Sequence, residues 1–271
     1  MLHRFLLCFV LSLPGATLAQ GADPIEVDVE LFLAVDVSRS MSPAELEIQR
    51  RGYAAALGSD AVGAAIEGGL LGRIAITYVE WAGESSQRII VDWTLIESRQ
   101  DARRVAELLT RDWTTFMRRT SISGAINYGA QSIDENNYIG LRRVIDISGD
   151  GPNNSGQRVD AARDAAVAEG LIINGLPIMT DPPVSGFSGR WNIDDLDVYY
   201  TACVIGGPGA FVIPVTDWAQ FADAVRRKLV LEIAGRPPER LWRAQSRPSP
   251  AYDCLIGEKL RQRRQQMYSE P

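Results

Sequence analysis

Leu31 to Val35 is an unbroken apolar run, with no alternation of polar residues inside it. A run of that length fits a central strand covered on both faces. Ser42 follows as a helix cap, with Pro43 at the first helical position and Glu45 three residues after the cap. That signature predicts a helix to about Leu57. Gly58-Ser59 and Gly68-Gly69 mark loops with a short helix between them. Gly72 to Trp81 and Gln87 to Trp93 read as strands, and the short gap at Gly83 to Ser86 predicts an antiparallel hairpin. Ser98 to Asp101 is a second capping signature, opening a helix to about Thr110.

Arg118 to Ile126 reads as a loop entering a small-residue helix that ends near Ile133. Arg142 to Ser148 is a strand, and Gly149 to Asn154 a loop by composition. A helix over 156–169 stops at Gly170, and Leu171 to Leu176 is the next strand. Asp181 to Ser188 reads as an irregular insertion, Asp194 to Val204 as a helix and Ala210 to Val215 as a final strand. Phe221, Val225, Leu229 and Ile233 recur every four residues, which marks Asp217 to Ile233 as an amphipathic helix. The order predicts an α/β fold: a doubly wound, mostly parallel sheet with one antiparallel edge strand and helices on both faces.

Function in such a sheet sits at the carboxyl ends of the strands, near the topological switch. Asp36, Ser38 and Ser40 follow the first strand, Asp150 follows another, and Thr120 precedes a helix in between. One rim of the sheet can bring all five together. Carboxylate and hydroxyl oxygens in that position suit a hard divalent cation such as Mg²⁺. The competing roles are ordinary local ones: turn closure for Asp36, Ser38 and Ser40, an N-cap for Thr120, and turn chemistry for Asp150. Glu80, at the end of the second strand, is a candidate to reach the same rim and support the ligating residues, or else a solvated strand end. Asp146, inside an apolar strand, reads as buried and bonded to a neighbouring loop. Trp81 and Trp93 read as core.

Composition changes this picture in several ways. The chain has 271 residues, 46% of them hydrophobic and 23% charged, an ordinary globular balance. Residues 1–19 carry the pattern of a leader: Arg4, then apolar Phe5 to Leu13, then Thr17-Leu18-Ala19. Its removal predicts an exported protein, periplasmic or secreted. It also takes away His3, the only histidine, which excludes a Ser-His-Asp triad and His-ligated zinc. Cys203 and Cys254 then remain, an even pair that suggests one disulfide in an oxidising compartment. Closing that loop of about 50 residues stabilises by about 3–4 kcal/mol in the chain-entropy model. The net charge of −6 gives no nucleic-acid footprint. Arg236 to Pro250 is linker-like, and the helix expected from Cys254 to Met267 carries Lys259, Arg261, Arg263 and Arg264. That basic tail reads either as solvated or as an arm for an acidic partner or a membrane surface.

Asp36-Val37-Ser38-Arg39-Ser40 matches the Asp-x-Ser-x-Ser signature of von Willebrand factor type A (vWA) domains. Arg118 to Ile126 resembles the vWA loop Gly-Gly-Thr-x-x-x-x-Ala-Leu, with Arg118-Arg119 in place of the glycines. Ile147 to Gly151 resembles the vWA strand that ends in Ser/Thr-Asp-Gly, with Gly149 as an extra residue. The likeness covers roughly residues 27 to 234, within a domain expected over 20–234 and before a Pro/Arg-rich tail over 235–271. Val144 to Gly151 and Tyr78 to Trp81 also resemble an exported bacterial subgroup of vWA proteins without a settled biochemical role. The resemblance implies a metal-ion-dependent adhesion site (MIDAS) in which Ser38, Ser40 and Thr120 ligate the ion, and Asp36 and Asp150 do so directly or through water. It implies Mg²⁺, or Mn²⁺ or Ca²⁺, and a protein partner that presents Asp or Glu. The alternatives are a Mg²⁺-dependent hydrolase on the same sheet or a vWA domain with a vestigial site. Such hydrolases usually present Asp-x-Asp after the first strand, whereas Ser38 stands there, and no phosphate-binding glycine loop occurs. A non-enzymatic binding module is the expectation.

Overall fold

The computed structural model describes residues 23–111, 115–180, 193–235 and 252–269. The expected leader, the insertion at 181–188 and the linker at 236–250 lie outside the described residues. Five strands form the main sheet in the order β4–β3–β2–β6–β7. They are β2 (Glu30–Asp36), β3 (Ile74–Trp81), β4 (Gln87–Ile96), β6 (Arg143–Gly149) and β7 (Ile172–Pro177). β2 pairs in parallel with β3 and β6, β6 in parallel with β7, and β3 antiparallel with the edge strand β4. β1 (Ile25–Val27) and β5 (Tyr138–Gly140) pair separately. At three residues each they lie below what periodicity resolves.

Helices α1 (Pro43–Leu57), α2 (Asp60–Glu67), α3 (Arg99–Leu109), α4 (Ile122–Asp134) and α5 (Val159–Ala168) occupy their expected places, followed by α6 (Leu196–Tyr199), α7 (Phe221–Ala234) and α8 (Ile256–Ser269). Ser42 caps α1 with both halves of the capping box formed, and Ser98 caps α3. The helix expected over 194–204 is α6 followed by a π-helical turn, Tyr200–Val204. The final strand expected at 210–215 does not form. Val212 and Val215 make only isolated bridges to the β7 side. Pro214 has no N–H to give to a ladder.

Every residue of β2 is buried. Leu31, Leu33 and Val35 join one core layer with α1, α3 and α7, while Phe32 and Ala34 join the other with α4, α5 and α6. The apolar run is continuous because both faces of this strand are covered. The chain moves from β2 to β3 on one side, then to β6 and β7 on the other. The carboxyl ends of β2 and β6 therefore flank the switch point.

Asp146 on β6 is buried, but its partner is a helix rather than a loop: Lys228 Nζ of α7 lies 2.5 Å from its Oδ1 and 2.5 Å from Glu232 Oε1. Asn174 Nδ2 donates to Glu232 Oε1 at 2.9 Å. One ammonium faces two buried carboxylates and does not offset both. Burial first, and then the Asp146 charge, pushes Glu232 up to about 7. A carboxyl raised on folding contributes stability below its ordinary value of 4.5 that is lost as pH rises through about 7. Glu232→Gln keeps the acceptor and removes the titration. Its stability relative to the wild type, from urea melts, should match at pH 4 and exceed it by about 3 kcal/mol at pH 8.

Candidate metal centre

Three loops meet at the carboxyl end of the sheet. β2 ends at Asp36, which is fully buried. Asp36 Oδ1 accepts the Ser38 N–H at 2.7 Å, a local bond that turns the chain out of the strand. Gln49 Nε2 of α1 donates to the Asp36 carbonyl at 2.8 Å. Asp36 Oδ2 is buried with no hydrogen-bond partner. Ser38 Oγ and Ser40 Oγ lie 2.8 Å apart, and Ser40 Oγ donates to Asp150 Oδ1 at 2.7 Å. A hydroxyl has one proton, so Ser38 is the donor to Ser40. Ser42 already caps α1, which leaves the hydroxyls of Ser38 and Ser40 free of that duty.

Thr120 does not cap α4; Ser121 does, accepting from the Gly124 N–H. Thr120 is instead held by its backbone. Its N–H donates to Asn154 Oδ1 at 3.1 Å, and its carbonyl accepts the Asn154 N–H at 2.8 Å. The Met117 N–H donates to the Val37 carbonyl at 3.0 Å, and the Ser121 N–H to the Ala82 carbonyl at 2.6 Å. These bonds fasten the loop before α4 to the ends of β2, β3 and β6. Thr120, Ser38 and Ser40 line one cleft of about 550 Å³, together with Arg39, Arg118, Arg119, Asn154 and Arg261.

β6 runs on through Gly149, so Asp150 leaves directly from its end. A Cβ on Gly149 would stand 3.0 Å from both Asp36 Oδ2 and the Tyr200 hydroxyl. Only glycine lets β6 pass this close to the carboxylate. The Tyr200 hydroxyl is also buried without a hydrogen-bond partner. Tyr200 carries no signal along the chain beyond membership of an expected helix; the π-helical turn Tyr200–Val204 is what brings it here.

Glu80 is fully buried and engaged on both oxygens. Arg50 Nη2 of α1 lies 2.6 Å from Oε1, and Arg88 of β4 pairs with Oε2. It ties α1 to β3 and β4 behind the site. Trp81 is core, and Trp93 packs its ring 6.5 Å from Phe32.

Asp36 and Asp150 differ from these paired acids, because neither has a cationic partner among the described residues. Burial raises Asp36 well above the usual carboxylate range, and the Asp150 charge raises it further. Burial likewise pushes Asp150 up to about 6, against the Ser40 hydrogen bond. Two close, desolvated carboxylates without a counter-charge and one orphaned oxygen are what a divalent cation would relieve. No cluster of three or more His, Cys, Asp or Glu occurs among the described residues, so the set rests on two carboxylates and three hydroxyls. The donors are all oxygens. The set therefore fits a hard ion.

The disulfide expected from the two cysteines forms between Cys203 and Cys254, with Cα atoms 5.6 Å apart. It fixes the start of the α8 segment to the π-helical turn. Asn153 Nδ2 donates to Glu258 Oε1 at 2.6 Å, and Arg261 Nη1 to the Asn154 carbonyl at 3.0 Å. α8 thus forms a wall of the cleft, and its Arg261 was not among the expected site residues.

The fold is that of vWA domains. The chain belongs to the family described as "Protein of unknown function (DUF1194)", which matches residues 26–237. Proximal thread matrix protein 1 from the mussel byssus is similar with a TM-score of 0.54 at 13% identity, over 79% of this chain and 49% of that one. Another structure of that protein is described as having a zinc-occupied MIDAS motif. The pilus adhesin SpaC from Lactobacillus rhamnosus GG is similar with a TM-score of 0.53 at 13% identity, over 79% of this chain and 31% of that one. A von Willebrand factor type A structure from Catenulispora acidiphila matches with a TM-score of 0.48 at 17% identity, over 77% and 43%. This chain spans less than half the length of these structures. No curated protein matches it. No helix among the described residues is long and apolar enough to cross a membrane.

Arg119 is the one described non-glycine residue with positive φ, at 75°. It stands where the vWA pattern has glycine. Left-handed backbone costs an L-residue about 1–2 kcal/mol, which glycine avoids. Arg119→Gly should therefore raise the stability in urea melts by about 1 kcal/mol, whereas Arg119→Ala should leave it unchanged. Equal effects of the two substitutions would contradict the strain.

Proposed function

We propose that this chain is an exported, non-enzymatic protein-binding module built on a metal-ion-dependent adhesion site. Asp36, Ser38, Ser40, Thr120 and Asp150 would hold the ion, Mg²⁺ first, with Mn²⁺ or Ca²⁺ as substitutes. The partner is a protein that presents an Asp or Glu side chain. The observation that carries this reading is the pair of desolvated carboxylates, Asp36 and Asp150, linked through Ser38 and Ser40 with no cation of the protein's own to neutralise them.

Asp36 and Asp150 supply two negative charges, which balance a divalent ion. The serine and threonine hydroxyls add oxygens without adding charge. When bound, the ion offers an electrophilic position to a carboxylate oxygen of the partner. Asp36 Oδ1 is committed to the Ser38 N–H, so Oδ2 is the oxygen available to the ion or to a bound water. Glu80, braced by Arg50 and Arg88, supports the site from behind by holding α1 against β3. Export is supported by the leader pattern at 1–19 and by the Cys203–Cys254 bridge. The pilus adhesin and the byssus protein with its zinc-occupied motif support an adhesive role by analogy of fold.

Titration calorimetry with Mg²⁺ and Mn²⁺ tests the reading. The wild type should take up one ion, and Asp36→Asn and Ser40→Ala should each weaken it by at least about tenfold, the loss typical even of outer-shell changes. A wild type that takes up neither ion contradicts the proposal.

A further inference from the structure

The cleft that holds Ser38, Ser40 and Thr120 is also lined by Arg39, Arg118, Arg119 and Arg261. These arginines come from three separate places: the β2–α1 loop, the loop before α4, and α8. Arg39, Arg118 and Arg119 are exposed, and Arg261 is half-buried. None of the four has a carboxylate partner among the described residues; Arg261 donates to the Asn154 carbonyl. Many arginines elsewhere are paired, among them Arg50 and Arg88 with Glu80, Arg99 with Glu67, Arg143 with Asp134 and Arg158 with Asp160. The chain as a whole has a net charge of −6, with 34 acidic side chains available against 28 basic ones. Unpaired guanidiniums gathered in one cleft of an acidic protein are not explained by average composition.

Their position has a consequence for the ion. A divalent cation and two carboxylates sum to zero, so four guanidiniums leave the loaded cleft strongly positive. They repel the ion at rest and attract any anion that approaches it. One carboxylate on the ion would satisfy the ion but not the arginines. Guanidiniums bind carboxylates through paired N–H donors, and each needs its own acceptor. A cleft of about 550 Å³ holds several side chains.

We infer that the cleft takes an acidic peptide segment with several neighbouring Asp or Glu residues, one on the ion and the others on the arginines. This rests on the reading of the site as a cation seat. α8 is then part of the binding site. The Cys203–Cys254 bridge and the Asn153–Glu258 bond hold Arg261 over the cleft. Arg119 keeps a bulky side chain at φ 75° where glycine would relax the backbone, which fits a side chain retained for contact. Ion and segment also favour one another, because the segment neutralises the arginines that oppose the ion.

The test uses the full chain with Mn²⁺ and two synthetic peptides, one with four consecutive glutamates and one with a single glutamate among glycines. Calorimetry should show the tetraglutamate binding at least tenfold more tightly, with the difference shrinking in high salt. A triple variant, Arg118→Gln, Arg119→Gln and Arg261→Gln, should lose that preference while its Mn²⁺ affinity without peptide stays equal or rises. Cys203→Ser with Cys254→Ser should weaken the tetraglutamate several-fold and leave Mn²⁺ uptake in place. Thermal melts confirm that the variants fold. Normal Mn²⁺ uptake with equal affinity for the two peptides, or a triple variant that keeps the preference, overturns the arginine assignment alone. Loss of tetraglutamate to competing inorganic phosphate at equal concentration also overturns it, since the guanidiniums would then serve phosphate. No Mn²⁺ uptake by the wild type overturns the cation seat beneath it.

Discussion

Burial of β2 on both faces decides where Asp36 can be. Leu31, Leu33 and Val35 are committed to one core layer, and Phe32 and Ala34 to the other. A slip of one residue would exchange the two sets, so the register is held firmly. The carboxylate at the end of the strand is therefore delivered to a fixed point beside β6. There Gly149 lets the neighbouring strand pass within reach, and Asp150 closes onto Ser40. The geometry of the site follows from packing several residues away from it.

The charges inside this protein differ in how they are resolved. Glu80 is met by two arginines on neighbouring elements. Asp146 and Glu232 share Lys228, and the surplus is absorbed by holding Glu232 protonated up to about 7. Asp36 and Asp150 are offered only hydroxyls and a backbone N–H. Asp28 and Glu30, also buried, have N–H donors on both carboxylate oxygens. Asp36 keeps one buried oxygen without any donor, so this pair is where a positive charge from outside would bring relief. The arginines that line the same cleft stand at its mouth and do not reach either acid as ion-pair partners among the described residues. In the proposed function they act on what comes to the ion.

Much of this was readable along the chain because it is encoded locally. The apolar run of β2, the capping box at Ser42 and the hairpin before Gln87 depend on neighbours in sequence. The five candidate oxygens were readable because strand ends at a switch point gather loops predictably. The cysteine pairing followed from there being only two outside the leader. What escaped depends on distant contacts. Pro214 broke an otherwise strand-like segment after Gly207-Pro208-Gly209. Tyr200 reaches Gly149 through a π-helical turn that periodicity does not signal. Arg261 belongs to the cleft only because a disulfide 51 residues long in sequence folds α8 back onto the loop after β6.

In the proposed function Asp36, Ser38, Ser40, Thr120 and Asp150 surround a cation. Crystals grown with Mn²⁺, measured for its anomalous scattering, test it most directly. A single strong peak is expected in the cleft, about 2–2.5 Å from Ser38 Oγ and Ser40 Oγ, with the Ser40–Asp150 hydrogen bond replaced by contacts to the ion. A map with no peak there, while Ser40 still donates to Asp150, would contradict it.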